Sequence, residues 1–249
     1  MKVRLAGVAL GVAAICGLAL APAAFADYTV HSPNVEQGEN EIEWNSFASW
    51  GTNPESGAIQ ASKFEFGRGM NDFWASEIEF NSEKEDGNSL RPTELEWENR
   101  FQLTPQGKYW LDTGLYTEIE YQRGGTYEIT VGPTFGKDFG RVSTLLNVFA
   151  SHEYGNDADS GVGLEYRARI EYRWKLAFSP LIEAYGKPVG RIGAFGPPGA
   201  PRNLIGPGIT GKASLGGGKG LHWAVVALFG TSNAAADRTL VARMEYEFF

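Results

Sequence analysis

From Glu39 to the last residue, apolar and polar side chains alternate with a period of two. That period puts alternate residues on opposite faces of an extended strand, whereas a helix would scatter them around its axis. In 39–51, Ile42, Trp44, Ala48 and Trp50 share one phase, and Glu41, Glu43 and Asn45 share the other. Segment 91–105 opposes Leu95, Trp97, Phe101 and Leu103 to Glu94, Glu96, Glu98, Arg100 and Gln102. Segment 162–174 sets Val162, Leu164, Tyr166, Ala168, Ile170, Tyr172 and Trp174 against Glu165, Arg167, Arg169, Glu171 and Arg173. Read throughout in this way, the pattern predicts strands near 39–51, 59–69, 72–82, 91–104, 109–122, 126–136, 141–152, 162–174, 176–186, 203–215, 221–231 and 238–249. The fold class is therefore all-β, with about twelve antiparallel strands and no composition break to mark a second domain in 27–249.

Alternation alone suits a soluble sandwich as well as a barrel. What separates them is the charge in mid-strand: Glu77 and Glu79, Glu94, Glu96 and Glu98, Glu118 and Glu120. A soluble β-protein would have to turn this phase to solvent. A barrel with an apolar exterior turns it into a wet lumen, where opposite charges on other strands can meet it. Aromatics near strand ends on the apolar phase, including Trp44, Trp50, Trp74, Tyr121, Tyr127, Tyr172, Trp174 and Trp223, suit a girdle at the lipid–water interface. A mean hydropathy of -0.26 is too polar for a bundle of helical spans.

The N-terminus reads as an export signal. Lys2 and Arg4 precede an apolar run from Leu5 to about Leu20, and Ala24-Phe25-Ala26 fits a signal-peptidase site ahead of Asp27. Glycines at 7, 11 and 17 break the run, which is short for an anchor. Residues 1–26 are expected to be removed. Cys16, the one cysteine, leaves with them, so the mature chain has neither a disulfide nor a thiolate site. The loss of Lys2 and Arg4 leaves 20 Lys+Arg against 30 Asp+Glu, a formal charge of -10 in place of -8. That balance argues against nucleic acid as a partner.

The last strand carries a family signal. Leu240, Ala242, Met244, Tyr246 and Phe248 alternate up to the terminal Phe249. This resembles the C-terminal recognition strand of bacterial outer-membrane β-barrel proteins, although the apolar series is in phase with Phe248 and not with Phe249. The resemblance implies residence in outer-membrane lipid, insertion by the barrel-assembly machinery through this strand, and an even strand number with both termini periplasmic. On that orientation the outer loops are 52–58, 83–90, 123–125, 153–161, 187–202 and 232–237. The inner turns are 70–71, 105–108, 137–140, 175 and 216–220. Loop Lys187–Arg202, with Pro188, Pro197, Pro198 and Pro201, is irregular and long enough to fold over or into the mouth.

On the inward phase, acids outnumber bases. The expected lumen-lining set is Glu77, Glu79, Glu94, Glu96, Glu98, Arg100, Glu118, Glu120, Glu165, Arg167, Arg169 and Arg173. Acids dominate the early strands, and Arg167, Arg169 and Arg173 form a ladder expected to face Glu94, Glu96 and Glu98 across the lumen. The function expected from this is a passive or substrate-selective channel for an unidentified small polar solute or ion, with cations favoured. The alternative is a plugged structural, adhesive or ligand-binding barrel whose charges pair internally.

An outer-membrane lipid hydrolase is disfavoured, because His152, at an outer strand end, has no serine at the alternate position sharing its face. No enzyme activity and no cofactor are expected. Nor is a metal: His31, His152 and His222 fall in the N-terminal tail, at the outer rim and at the inner rim, too far apart to share an ion. The acidic loop 156–160 is the one candidate for Ca²⁺.

Overall fold

The computed structural model describes residues 27–51, 58–84, 89–156, 158–194 and 200–249. Twelve strands follow one another: β1 (Asn40–Trp50), β2 (Ala58–Gly69), β3 (Trp74–Lys84), β4 (Arg91–Gln102), β5 (Asp112–Gln122), β6 (Thr126–Phe139), β7 (Val142–Gly155), β8 (Gly163–Tyr172), β9 (Ser179–Lys187), β10 (Arg202–Gly216), β11 (Lys219–Gly230) and β12 (Arg238–Phe248). Each pairs antiparallel with its neighbours in sequence, and β1 pairs with β12 from Asn40↔Phe248 to Trp50↔Arg238. The sheet is thereby closed, and no strand edge is left with unpaired backbone groups.

The strands lie within a few residues of the predicted spans. Their lengths of 9 to 15 residues match what a tilted strand needs to cross a bilayer core, about 9–11. Two-residue turns at 217–218 and 140–141, with Gly140, Gly217 and Gly218 at positive φ, reverse the chain at the end where β1 begins and β12 finishes, hereafter the turn end. The longest connection, 188–201, lies at the opposite end, hereafter the loop end.

The pleat sorts the side chains. On β2 and β3, Phe64, Phe66, Ile78 and Phe80 are about half exposed, while Lys63, Glu65, Glu77 and Glu79 are at most 5% exposed. The same holds around the wall, with Trp97, Ile119, Ile129, Val131, Val148, Ile170, Ile182, Phe229 and Leu240 outside. A continuous apolar belt of this extent exceeds what a water-soluble monomer normally exposes. Polar side chains on the belt are tied down. Trp97 Nε1 donates to Ser76 at 2.9 Å, and Trp74 Nε1 donates to Asn99 at 3.0 Å.

The interior is not uniformly polar. Phe47, Leu181, Tyr185, Leu204, Val226, Leu228 and Val241 point inward on the β9–β12 and β1 side and form a buried apolar cluster with Tyr28 and Val30. The sequence reading, which took the inward phase as wet, does not contain this cluster.

Candidate functional site

Residues 27–35, ahead of the first strand, lie inside the barrel, and 36–39 join them to β1 at the rim. The segment enters at the turn end, where Gly38 N–H donates to the Gly69 carbonyl and Gly69 N–H to the Glu39 carbonyl, both at 2.8 Å. A Cβ on Gly69 would fall 1.9 Å from the Glu36 carbonyl oxygen, so only glycine admits the segment so close to the wall. Further in, Val35 N–H donates to Gln102 Oε1 at 2.8 Å. Pro33 lies against Gly114 and Gly136, whose missing side chains make room for it. The backbone of His31 is held by the Asn147 carboxamide at 2.8 and 2.9 Å. The Tyr28 carbonyl accepts from Arg243 Nη1 at 2.6 Å and from the Tyr185 hydroxyl at 3.1 Å.

At its tip, the Asp27 carboxylate is bound by Lys63 of β2 at 2.8 Å and by Arg167 of β8. These strands stand six apart in a ring of twelve, so one carboxylate bridges the lumen from wall to opposite wall. The layer around it is filled. The His31 ring packs on Tyr116 (centroids 4.6 Å), Tyr116 stacks on Phe149 (4.6 Å), and Tyr28 meets Phe47 and Tyr185 edge-on. Burial pushes the His31 imidazole down to about 4, with Asp27 opposing the shift and Arg167, 3.3 Å from Nε2, adding to it. Burial would raise the Asp27 carboxyl, but Arg167, Lys63 and His31 hold it well below the usual carboxylate range.

Several of the remaining interior charges pair along the wall. Arg100 reaches Glu41 at 2.7 Å and donates from Nε to Glu77 at 2.7 Å. Glu183, fully buried, receives Arg169 at 2.7 Å, Arg243 at 2.5 Å and the Tyr185 hydroxyl at 2.6 Å. Arg167 also binds Glu165. The expected arginine ladder opposite Glu94, Glu96 and Glu98 does not form. Arg167 is drawn to Asp27 and Glu165, Arg169 to Glu183, and Arg173, past the end of β8, to Asp138 at 2.7 Å. Glu77, Glu79, Glu96, Glu98 and Glu118 are buried on the inner face, and Glu94 and Glu120 line it nearer the loop end. Tyr116 donates its hydroxyl to Glu118 at 2.5 Å.

The filled layer divides the lumen. Toward the turn end lies a cavity of about 740 Å³ whose wall includes Glu39, Glu41, Glu43, Glu65, Glu77, Glu245 and Glu247 against Arg100, Arg169, Arg173 and Lys212. Toward the loop end, the space between Asp27, Glu96, Glu118, Glu120, Glu128, Glu165, Arg167 and Lys187 is only about 30 Å³. The described part of loop 188–201 bends over this mouth. Arg191 binds Glu153 at 2.8 Å and the Ser160 and Gly161 carbonyls at 3.2 Å, and Ile192 pairs with Val162. His152 Nδ1 donates to the Gly161 carbonyl at 2.7 Å, and its ring packs on Tyr154. In the acidic loop 156–160, Asp157 lies outside the described residues, and Asp159 N–H donates to Glu153. The signal segment 1–26 also lies outside them.

No protein-family model matches the sequence, and no curated protein does. Solved structures share the fold. An outer-membrane channel of the COG4313 group from Pseudomonas putida F1 superposes with a TM-score of 0.59 at 9% identity, covering 89% of this chain and 97% of its own. The translocator domain of the autotransporter NalP from Neisseria meningitidis gives 0.56 at 10% identity, covering 87% and 89%. The KdgM porin, solved with disordered oligogalacturonate, gives 0.52 at 8%, covering 84% and 98%. The barrel thus has the architecture of bacterial outer-membrane channels and translocators.

Proposed function

We propose that this chain is a narrow outer-membrane channel for small cations or small polar solutes, closed at rest by its own N-terminal segment. The observation that carries the reading is how the closure is made. The twelve-stranded wall is hydrogen-bonded all round without the segment, and the segment is attached to it by a chain at Asn40 only. Apart from the backbone bonds of Gly38 and Glu39 to Gly69 at the rim, side-chain hydrogen bonds, ion pairs and ring contacts hold the rest of it, so residues 27–37 can leave the lumen without opening the wall.

Both spaces it separates are lined by more acids than bases, which favours cations and disfavours polyanions such as the oligogalacturonate found with KdgM. The channel-like neighbours support transport over catalysis. The reading includes export with removal of residues 1–26, insertion through β12 by the assembly machinery, and residence in outer-membrane lipid. Cleavage there would make Asp27, seated between Lys63 and Arg167, the first residue of the mature chain.

The test is conductance of the refolded chain in planar bilayers under a salt gradient, beside a variant lacking residues 27–37. Wild type should show rare, small, cation-preferring openings, and the shortened chain larger and sustained ones. If the shortened barrel, shown to be folded and inserted, passes no current, the channel reading fails and a permanently plugged barrel takes its place.

A further inference from the structure

Among the described residues, five groups of carboxylates and histidine inside the barrel bring possible ligand atoms close together; Arg167 meets the group of Asp27, His31 and Glu98, and three of the other four are met by a cation or are less buried. Arg100 stands among Glu41, Glu65 and Glu77; Lys212 serves the set with Glu245 and Glu247; and the set with Glu94 and Glu120 is less buried. The fourth, Glu79, Glu96 and Glu98, differs. All three side chains are at most 4% exposed, and their nearest ligand oxygens lie within 4.8 Å of one another.

Glu79 and Glu96 face each other directly across the β3–β4 ladder, a like-charge pairing that destabilises a sheet unless a counter-charge intervenes. The nearby cation is Lys63, which binds Glu79 at 2.5 Å but is shared with Asp27. Asn81 spends its amide on Glu79 and Glu96.

Glu98 supplies the independent observation. It is fully buried, and neither of its carboxylate oxygens accepts a hydrogen bond; the Asn81 carbonyl oxygen beside the cluster also lacks a donor. A buried carboxylate with both oxygens bare costs several kcal/mol unless another charge meets it. Glu98 also comes near Asp27 and His31, but there the Arg167 guanidinium already occupies the approach.

We propose that Glu79, Glu96 and Glu98 bind one calcium-type divalent cation inside the barrel wall. The donor set is all oxygen and carries full negative charges, which suits a hard cation and not a thiophilic or imidazole-seeking metal. Calcium accepts ligands at about 2.3–2.6 Å and so spans oxygens nearly 5 Å apart in irregular geometry, whereas Mg²⁺ needs a regular octahedron at about 2.0–2.1 Å. Residues on two adjacent β-strands cannot close to that radius without bending the ladder, so calcium is preferred. The bound ion would also fix the wall against which the Asp27 tip sits. This does not rest on the channel reading, because a plugged barrel would bind the ion equally.

The full chain, refolded in zwitterionic detergent and stripped with EDTA, is titrated with CaCl₂ and with MgCl₂ while its thermal midpoint is followed. Tb³⁺ luminescence excited through the aromatic residues and displaced by Ca²⁺ reports occupancy. Wild type should gain several degrees with Ca²⁺ and less with Mg²⁺. Glu98→Gln should match or exceed wild-type stability in EDTA yet bind Ca²⁺ at least tenfold more weakly, while Glu36→Gln, outside the cluster, should respond as wild type does. Should Glu98→Gln fail to refold, Glu96→Gln provides the same comparison. A wild type indifferent to Ca²⁺, or a cluster variant that keeps full affinity, would overturn the assignment. Conductance plays no part in either outcome, so failure here leaves the channel proposal standing, and the reverse.

Discussion

Asn147 holds the backbone of His31 at both ends. Its Oδ1 accepts the His31 N–H at 2.8 Å, and its Nδ2 donates to the His31 carbonyl at 2.9 Å, two β-ladder-like bonds made by one side chain inside the lumen. Because the wall does not need Asn147, its loss should bear on the N-terminal segment and leave the barrel intact. Each such bond contributes roughly 0.5–1.5 kcal/mol net. Asn147→Ala should therefore weaken docking by about 1–3 kcal/mol. The variant should refold as wild type does but open far more often in bilayer recordings. An unchanged open probability would mean that the segment is not the gate.

The wall was legible in the sequence because membrane and lumen impose opposite solvents on the two faces of every strand, and the period-two record of that difference covers residues 39–249. The plug was not legible. Residues 27–35 show no period, since a segment surrounded on all sides by side chains has no polar and apolar face to alternate. The signal that could have revealed it is a set of aromatics in the wrong phase. Phe47, Tyr116, Phe149 and Tyr185 interrupt otherwise polar inward rows, and a wet lumen gives such rings nothing to pack on. The charge partners were illegible for a related reason. Arg167 could be assigned to the inner face from its phase, but its choice of Asp27 depends on a segment whose path only the fold defines.

The outer face carries its own test. Ile170 is 54% exposed on the apolar face of β8, while its neighbour Arg169 points inward to Glu183. Ile170→Arg should cost up to about 2–4 kcal/mol when the barrel folds into lipid vesicles, because a charge must be held against the lipid-facing belt. Arg68→Ile, at an exposed position close to the turn at 70–73, should be nearly neutral. Urea titration of vesicle-inserted protein measures both. A negligible cost at Ile170 would place that face in water.

Glu183 joins β9 to β8 and β12 through Arg169, Arg243 and Tyr185, and Arg243 in turn holds the Tyr28 carbonyl. Glu183→Gln keeps the shape but leaves two guanidinium groups without their buried counter-charge. Removing one partner from such a network costs about 3–5 kcal/mol. The urea midpoint should fall accordingly, and the docked segment should loosen as Arg243 moves. If stability held while only conductance changed, Glu183 would belong to the permeation path and not to the wall.

The last prediction concerns acid. Docked in the lumen, His31 is neutral down to a pKa of about 4 because burial disfavours its charged form, and Arg167, Tyr116 and Phe149 offer an imidazolium no compensating partner beyond Asp27. Released into water, the ring takes up a proton near its ordinary value of about 6.5. Between these limits the released segment binds more protons than the docked one, so docking is stable above about pH 6.5 and weakens as pH falls toward 4. The slope is about 1.4 kcal/mol per pH unit, or roughly 3 kcal/mol across the window. Asp27 does not interfere there, because its carboxyl is held below its ordinary range when docked and its contribution is lost only in stronger acid. Open probability, recorded in EDTA from pH 7 to pH 5, should therefore rise steeply in wild type. His31→Gln removes the titrating ring, so its profile should be much flatter, with any remaining slope belonging to the lumen carboxylates. Identical profiles in the two proteins would show that His31 does not couple acid to release.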